Sequence, residues 1–430
     1  MRILSILLCL IIVPCAAYPA CTNSGSDPDG YGTLRTAASA SQSDVNDCVT
    51  AASDGDTIQI PNGTATWTSG ISTTKQIVIR AQNYTPTPAG TVGSGATSRN
   101  VTLTHNSSSS LFAFTSGNSY HVGLGGIRVN EGTGDGAIFS VSGSGSKVPL
   151  IFDCYFQVKD RPWPASPILS FASQGGVVWN TVFAGIFNID WAGGAGFLIK
   201  GSPRVWTTAA TMGANDTGGV VNVYLEDSTA TNIGQFPDID DHGRFVSRYN
   251  IFDGTWGLTH GFTSTWGGRH FEYYNNVFRQ TTAQRNLAGR YFWARAGTGI
   301  FTDNEVNTQV DPGYYGTNIQ LDIGDNTTPS GGYPMNRQPG GGHNGSSYIV
   351  DPIYIWSQTG ARAYTWNVES SWASYVQLDR DIFVNSGAKS GYTKYTYPHP
   401  AREAIEGEGE PPPVPRVVTG VSVVGGASIK

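Results

Sequence analysis

The chain has 430 residues, of which 55 are glycine, 11% are aromatic and 13% are charged. Few charges, many glycines and many aromatics suit an all-β chain of short strands and tight turns better than a helical one. A net charge of -6 leaves no basic footprint for nucleic acid.

The N-terminus reads MRILSILLCLIIVPCAAYPAC. Arg2 precedes an apolar run over 3–13 that is short for a bilayer span, and the small residues Cys15 and Ala17 suit a cleavage site. Residues 1–17 are therefore expected to be a signal peptide. No second apolar span follows, so the mature chain is expected to be secreted or held at the cell surface, with no membrane span. Cys9 and Cys15 leave with the signal. Cys21 and Cys48 flank the first ordered segment and are placed to pair. Cys154, in LIFDCYF, reads as a small buried hydrophobe.

A short helix is predicted over about 43–53, with Ser43 as N-cap and Val45, Cys48, Val49 and Ala52 at helical spacing. GDTIQIPNGTATW follows as short strands broken by Pro61, Asn62 and Gly63. This helix-then-strand opening resembles the start of the pectate-lyase-like right-handed parallel β-helix superfamily, many of whose members are secreted bacterial proteins. The resemblance implies a single solenoid domain over 18–400, with the helix capping one end, where apolar core and strand edges would otherwise be exposed.

Repeats point the same way. LIFDCYF, VVWNTVF, VYLEDST, VSRYNIF, EYYNNVF and IFTDNEV end at residues 156, 183, 229, 252, 278 and 306, giving spacings of 27, 46, 23, 26 and 28. The 46 is read as two turns. In a solenoid, Cys154, Thr181, Asp227, Asn250, Asn276 and Asn304 would stack at a corner, where asparagine bonds backbone and tolerates left-handed geometry. Phe156, Phe183, Phe252, Phe278 and Val306 would stack in the core. Over 312–400 the pattern loosens. KSGYTKYTYPHP is read as an aromatic segment closing the last coil, and 401–430 as an acidic, Pro-rich linker and tail.

Polar residues concentrate in three consecutive coils: Glu226 and Asp227; then DIDDHGR at 238–244; then His260, Arg269, His270 and Glu272. On a β-helix such residues become neighbours on the outer face, about 4.8 Å apart per coil, which suits a linear polymer. An Asp-Asp pair followed by His-Gly one coil later resembles the polygalacturonase pattern, and Asp240, Asp241 and His260 map onto it. Thr259 stands where that family has glycine. Adjacent Asp240 and Asp241 face opposite ways on a straight strand, so they converge only if a turn at Gly243 brings them together.

Two chemistries suit the belt. A hydrolase needs a carboxylic acid and a carboxylate. A lyase needs a cation or calcium on the uronate carboxylate, and a base. The catalytic set expected in one groove is Asp240, Asp241, His260, Arg269 and Glu272. Arg244, His270, Arg295 and Glu226 are expected to bind substrate, and Asp238, Asp240 and Asp241 to hold calcium. The expected partner is an acidic polysaccharide such as a pectin-like polyuronate, met by a monomer. The competing reading is a non-catalytic surface or adhesion protein that uses the solenoid as a rigid spacer.

Overall fold

The computed structural model describes residues 20–27, 32–92, 100–159, 167–173, 175–185, 196–201, 206–261, 267–281, 290–309, 317–321, 333–334, 338–368 and 373–406. The expected signal peptide, and the tail beyond 406, lie outside them. No helix among the described residues is long and apolar enough to cross a membrane.

Three long sheets wind around one core. Among the described residues sheet A has 13 strands, sheet B 9 and sheet C 10. Through the middle of the stack each coil contributes one strand to each sheet, and successive coils pair in parallel. Ile151, Val178, Leu225 and Ser247 follow one another in sheet A. The chain is thus a parallel β-helix. Its first strand, Cys21–Ser26, pairs antiparallel with Thr33–Ala37, as Gly341–His343 does with Tyr348–Val350 in a separate two-stranded sheet.

Helix α1 spans Gln42–Ala51. Its N-cap is Ser41 rather than Ser43, because the Ser41 hydroxyl accepts the Asp44 N–H at 3.2 Å. Val45, Cys48 and Val49 are buried. The helix packs against the strands Thr57–Ile60, Gly63–Trp67 and Ile71–Thr73, early strands of all three sheets. A Cys21–Cys48 disulfide ties the first strand to it. Cys154 is buried and outside the disulfide.

The core row on sheet B runs Val129, Phe156, Phe183, Ala230, Phe252, Phe278 and Val306 in register. The phenylalanines stack: Phe156 on Phe183 at 5.4 Å and Phe252 on Phe278 at 5.0 Å between centroids. Phe183 pairs directly with Ala230, with no strand between them. The 46-residue spacing is therefore one coil, not two. Its extra length lies between the strands Phe197–Lys200 and Val223–Glu226.

The corner between sheets A and B carries a side-chain ladder. Backbone N–H groups of Cys154, Thr181, Ser228, Asn250 and Asn276 donate in turn to side-chain oxygens of Thr181, Ser228, Asn250, Asn276 and Asn304. Ser228, not Asp227, holds the ladder position in its coil. Asp227 sits one residue earlier, in a column with positive φ that includes Asp153, Asn180, Tyr249, Asn275, Asp303 and Ser357. Both positions favour Asp and Asn, so composition alone does not separate them.

The aromatic segment near the C-terminus does not close the last coil. The strands Ile353–Trp356 and Ile382–Val384 extend sheet A. Residues 392–402 then return along its outer face. Tyr392 donates to Glu272, Lys394 pairs with Asp303, and Arg248 donates to the Tyr395 and Thr396 carbonyls. Tyr397 donates to Asp227, and Arg402 pairs with Glu226 and Asp227. The cause is electrostatic: Glu226 and Arg248 pair with each other on neighbouring strands at 0% exposure, and this segment supplies the further partners that such a buried pair needs.

Asn276→Ala removes an acceptor for Asn250 and Ser247 and a donor to the Ser247 carbonyl. It is expected to cost about 2–4 kcal/mol by leaving buried backbone groups unpaired, measured by urea unfolding. A cost below about 0.5 kcal/mol would show that the ladder is not stabilising.

Candidate functional site on the outer face of sheet C

Sheet C turns Ile199 and Ile239 into the core. By alternation the residues on either side of them face outward. Register then assembles a polar patch. Leu198 pairs with Asp238 and Lys200 with Asp240. Asp238 pairs with Leu258, and Leu258 with Trp293. Thr259 pairs with Ala294, so His260 and Arg295 follow one residue further along. One row therefore carries Lys200, Asp240, His260 and Arg295. The row beside it carries Leu198, Asp238, Leu258 and Trp293.

The patch is wired together. His260 Nδ1 lies 2.8 Å from an Asp238 carboxylate oxygen, which fixes the ring and leaves Nε2 as its second nitrogen. The ring remains 28% exposed. Burial alone would lower its pKa, but the charge and hydrogen bond of Asp238, joined by Asp240, hold it above the ordinary histidine value. Burial pushes the Asp240 carboxyl up to about 6, with Asp238 adding to the effect, while His260 and Lys200 oppose it. Lys200 Nζ lies 3.9 Å from Asp240. The Arg295 guanidinium stacks 4.5 Å from the Trp293 ring centre. Its charge acts on His260.

The single groove expected from sequence is therefore not formed. Asp238, Asp240, His260 and Arg295 share the sheet C face. Asp241 occupies the corner that leads to sheet A, with φ +47° and 2% exposure. Its N–H donates to the Asp240 carboxylate at 2.7 Å, and the turn at Gly243 does not bring the two carboxylates onto one surface. The aspartates that do share a face are Asp238 and Asp240, two residues apart on one strand.

The other expected residues lie around that corner, under sheet A's coverings. Arg244 donates to the Thr208 hydroxyl and to the His242 and Ala209 carbonyls. Arg269 donates to the Thr208 carbonyl, stacks on Trp206 and lies 3.7 Å from Asp351. Burial, with Arg269 nearby, lowers Arg244 to about 10. His270 is bonded to Glu272 at 2.9 Å. Glu272 also accepts the Gly213 N–H and the Tyr392 hydroxyl, both at 2.6 Å. Burial opposes ionisation of Glu226, yet Arg248 and Arg402 hold its pKa at about 2. Glu226, His270 and Glu272 are 0% exposed, so no polymer reaches them. They hold residues 206–213 and 392–402 in place.

Calcium does not fit the expected ligands. Asp238 is bonded to His260, Asp240 faces Lys200, and Asp241 lies in the corner turn. Among the described residues, no three His, Cys, Asp or Glu side chains are grouped to hold a metal ion.

Lys200 and Trp293 were missed by the sequence reading. FLIK at 197–200 was the available signal. Reading the 46-residue spacing as two turns placed an extra coil between Lys200 and Asp240 and hid their pairing.

No protein-family model matches this sequence, and no curated protein matches it. Two solved structures resemble the fold. One is the PL6 family alginate lyase AlyGC, with 13% identity and a TM-score of 0.36 over 84% of this chain and 38% of that one. The other is the PL6 family polysaccharide lyase Pedsa3628 from Pseudopedobacter saltans, with 14% identity and a TM-score of 0.36 over 86% of this chain and 88% of that one. This chain thus spans 38% of AlyGC. Likeness at this level assigns neither activity nor substrate. What the strand pairing and the polar patch define is a parallel β-helix with a polar row on the outer side of sheet C, in which Lys200 and His260 are partly exposed and Asp238, Asp240 and Arg295 are buried.

The Asp240 shift has a sign that can be checked. Its folded pKa of about 6 lies above the ordinary 3.8, so it contributes stability that is present at low pH and lost as pH rises through 6. Asp240→Asn does not titrate. Relative to wild type it is expected to gain stability between about pH 4 and pH 7, by up to roughly 3 kcal/mol, in urea unfolding at both pH values. A difference that does not change with pH would contradict the shift.

Proposed function

We propose that the protein is an exported enzyme that cleaves an acidic polysaccharide by β-elimination on the outer face of sheet C. The observation that carries this reading is His260, held by Asp238 and lying in one row with Lys200 and Arg295. A uronate carboxylate seated at Arg295, the neighbour of His260 in the row, loses its charge penalty, which acidifies the proton on the adjacent carbon. His260 Nε2 takes that proton. The electron pair forms a carbon–carbon double bond and the glycosidic carbon–oxygen bond breaks. The imidazolium then returns the proton to the leaving oxygen, while Asp238 stabilises its positive form. Asp240 holds the Lys200 ammonium at the row.

The surface beside the patch suits an extended polymer. Toward the N-terminus, sheet C presents Thr115, Ser140, Ser142 and Ser170 in register on preceding coils, and all are at least partly exposed. These small hydroxyl residues make a shallow surface that continues the charged rows, at about 4.8 Å per coil.

Incubation with polyuronates is expected to give the ultraviolet absorbance of a conjugated unsaturated product. His260→Ala is expected to lower kcat by at least about 100-fold, and Lys200→Ala to raise KM for the acidic polymer. The rate should rise with pH through the elevated pKa of His260. Asp238→Asn should lower kcat and move that limb to lower pH. New reducing ends without unsaturation would instead favour a hydrolase. That second reading rests on the raised pKa of Asp240 beside Asp238, with Asp240 as acid and Asp238 as partner. No product on any acidic or neutral glycan would favour the rigid-spacer reading.

A further inference from the structure

A separate cavity of about 240 Å³ opens at the corner between sheets A and B. The polar patch is on sheet C. The cavity is bounded by Tyr249, Ile251, Asn275, Val277, Asp303 and Glu305, among others. Ile251 and Val277 pair in register as the first residues of adjacent sheet B strands and supply an apolar floor. Around it stand hydrogen-bonding groups. Asp303 pairs with Lys394 at 2.6 Å and remains 43% exposed. Glu305 accepts from the Asn307 amide at 2.9 Å.

One residue here breaks the pattern of its column. Six residues of the left-handed corner column are Asp153, Asn180, Asp227, Asn275, Asp303 and Ser357, all short and polar, but the coil between Asp227 and Asn275 carries Tyr249 at φ +59°. A bulky side chain is costly in that region. Its ring packs 4.1 Å from Tyr397 and lines the cavity, which places an aromatic wall on it.

We infer that this cavity is a second binding site, for a single neutral sugar residue such as a hexose. The apolar floor and the Tyr249 ring suit the C–H face of a pyranose. Carboxylates suit its hydroxyls, because charge-assisted acceptors make the stronger hydrogen bonds. Asp303 is compensated by Lys394, but the Glu305 carboxylate disfavours a uronate, so the site selects against the substrate class proposed for sheet C. The volume lies below that of drug-sized pockets, which sizes it for one ring rather than a chain. The site does not depend on the sheet C chemistry.

The test is calorimetric titration of the full chain with glucose, galactose, mannose and glucuronate. At least one neutral hexose is expected to bind with Kd on the order of 1 mM, and glucuronate at least about tenfold more weakly. Tyr249→Asn, which places at this corner the residue that Asn180 and Asn275 already are, should weaken binding at least about tenfold while the circular dichroism spectrum is kept. Glu305→Gln should weaken it as well, and His260→Ala should leave it unchanged. The inference is overturned if no hexose binds, if binding survives Tyr249→Asn and Glu305→Gln together, or if glucuronate binds as tightly as the best hexose.

Discussion

Parallel pairing in register between one coil and the next is the constraint on which every outer face depends. It converts residues 20 to 54 positions apart into neighbours at a fixed step of about 4.8 Å. A slip of one residue would send His260 inward and Thr259 outward, and the sheet C patch would vanish. Register is held by two devices that work together. Phenylalanine rows fill the interior, and at the A–B corner side-chain oxygens satisfy the backbone N–H groups that the turn leaves unpaired.

The same pairing produces two kinds of polar cluster with opposite fates. On sheet A, Glu226 and Arg248 lie on adjacent strands and are sealed by Arg402, Tyr395 and Tyr397. Burial makes such charges expensive unless every partner is present, so they act in holding the chain together. On sheet C, His260 and Lys200 remain 28% and 21% exposed. These two stay in reach of solvent and of a ligand, while Asp238, Asp240 and Arg295 are buried behind them. Exposure separates structural ion pairs from chemical ones here, because residue type is the same in both.

Much of the fold was legible in the chain. Phe156, Phe183, Phe252 and Phe278 sit where the repeat placed them, and the Cys21–Cys48 pair forms. The errors have physical causes. Asp227 and Ser228 compete for adjacent corner positions that both accept short polar residues. The long coil after Phe183 imitates two turns because excursions from a solenoid need not preserve its period. The site was half legible. Asp238, Asp240, His260 and Arg295 were named, but Lys200 was not, and Arg269, His270 and Glu272 were placed on the wrong surface. Charge density along the sequence reports how polar a coil is; the face on which each charge emerges is decided at the corner, between Asp241 and Gly243.

The returning segment has a mechanical consequence. In a plain solenoid each coil touches only its neighbours, so stability is a nearest-neighbour sum and the ends can fray independently. Residues 392–402 bridge the coils that carry Asp227, Arg248, Glu272 and Asp303. They act as a strap along the stack, so that peeling one of these coils means breaking contacts to the others. The half of the molecule that carries the polar patch is thereby turned from a string of weakly coupled repeats into one cooperative block, a rigid floor for chemistry on an otherwise modular rod.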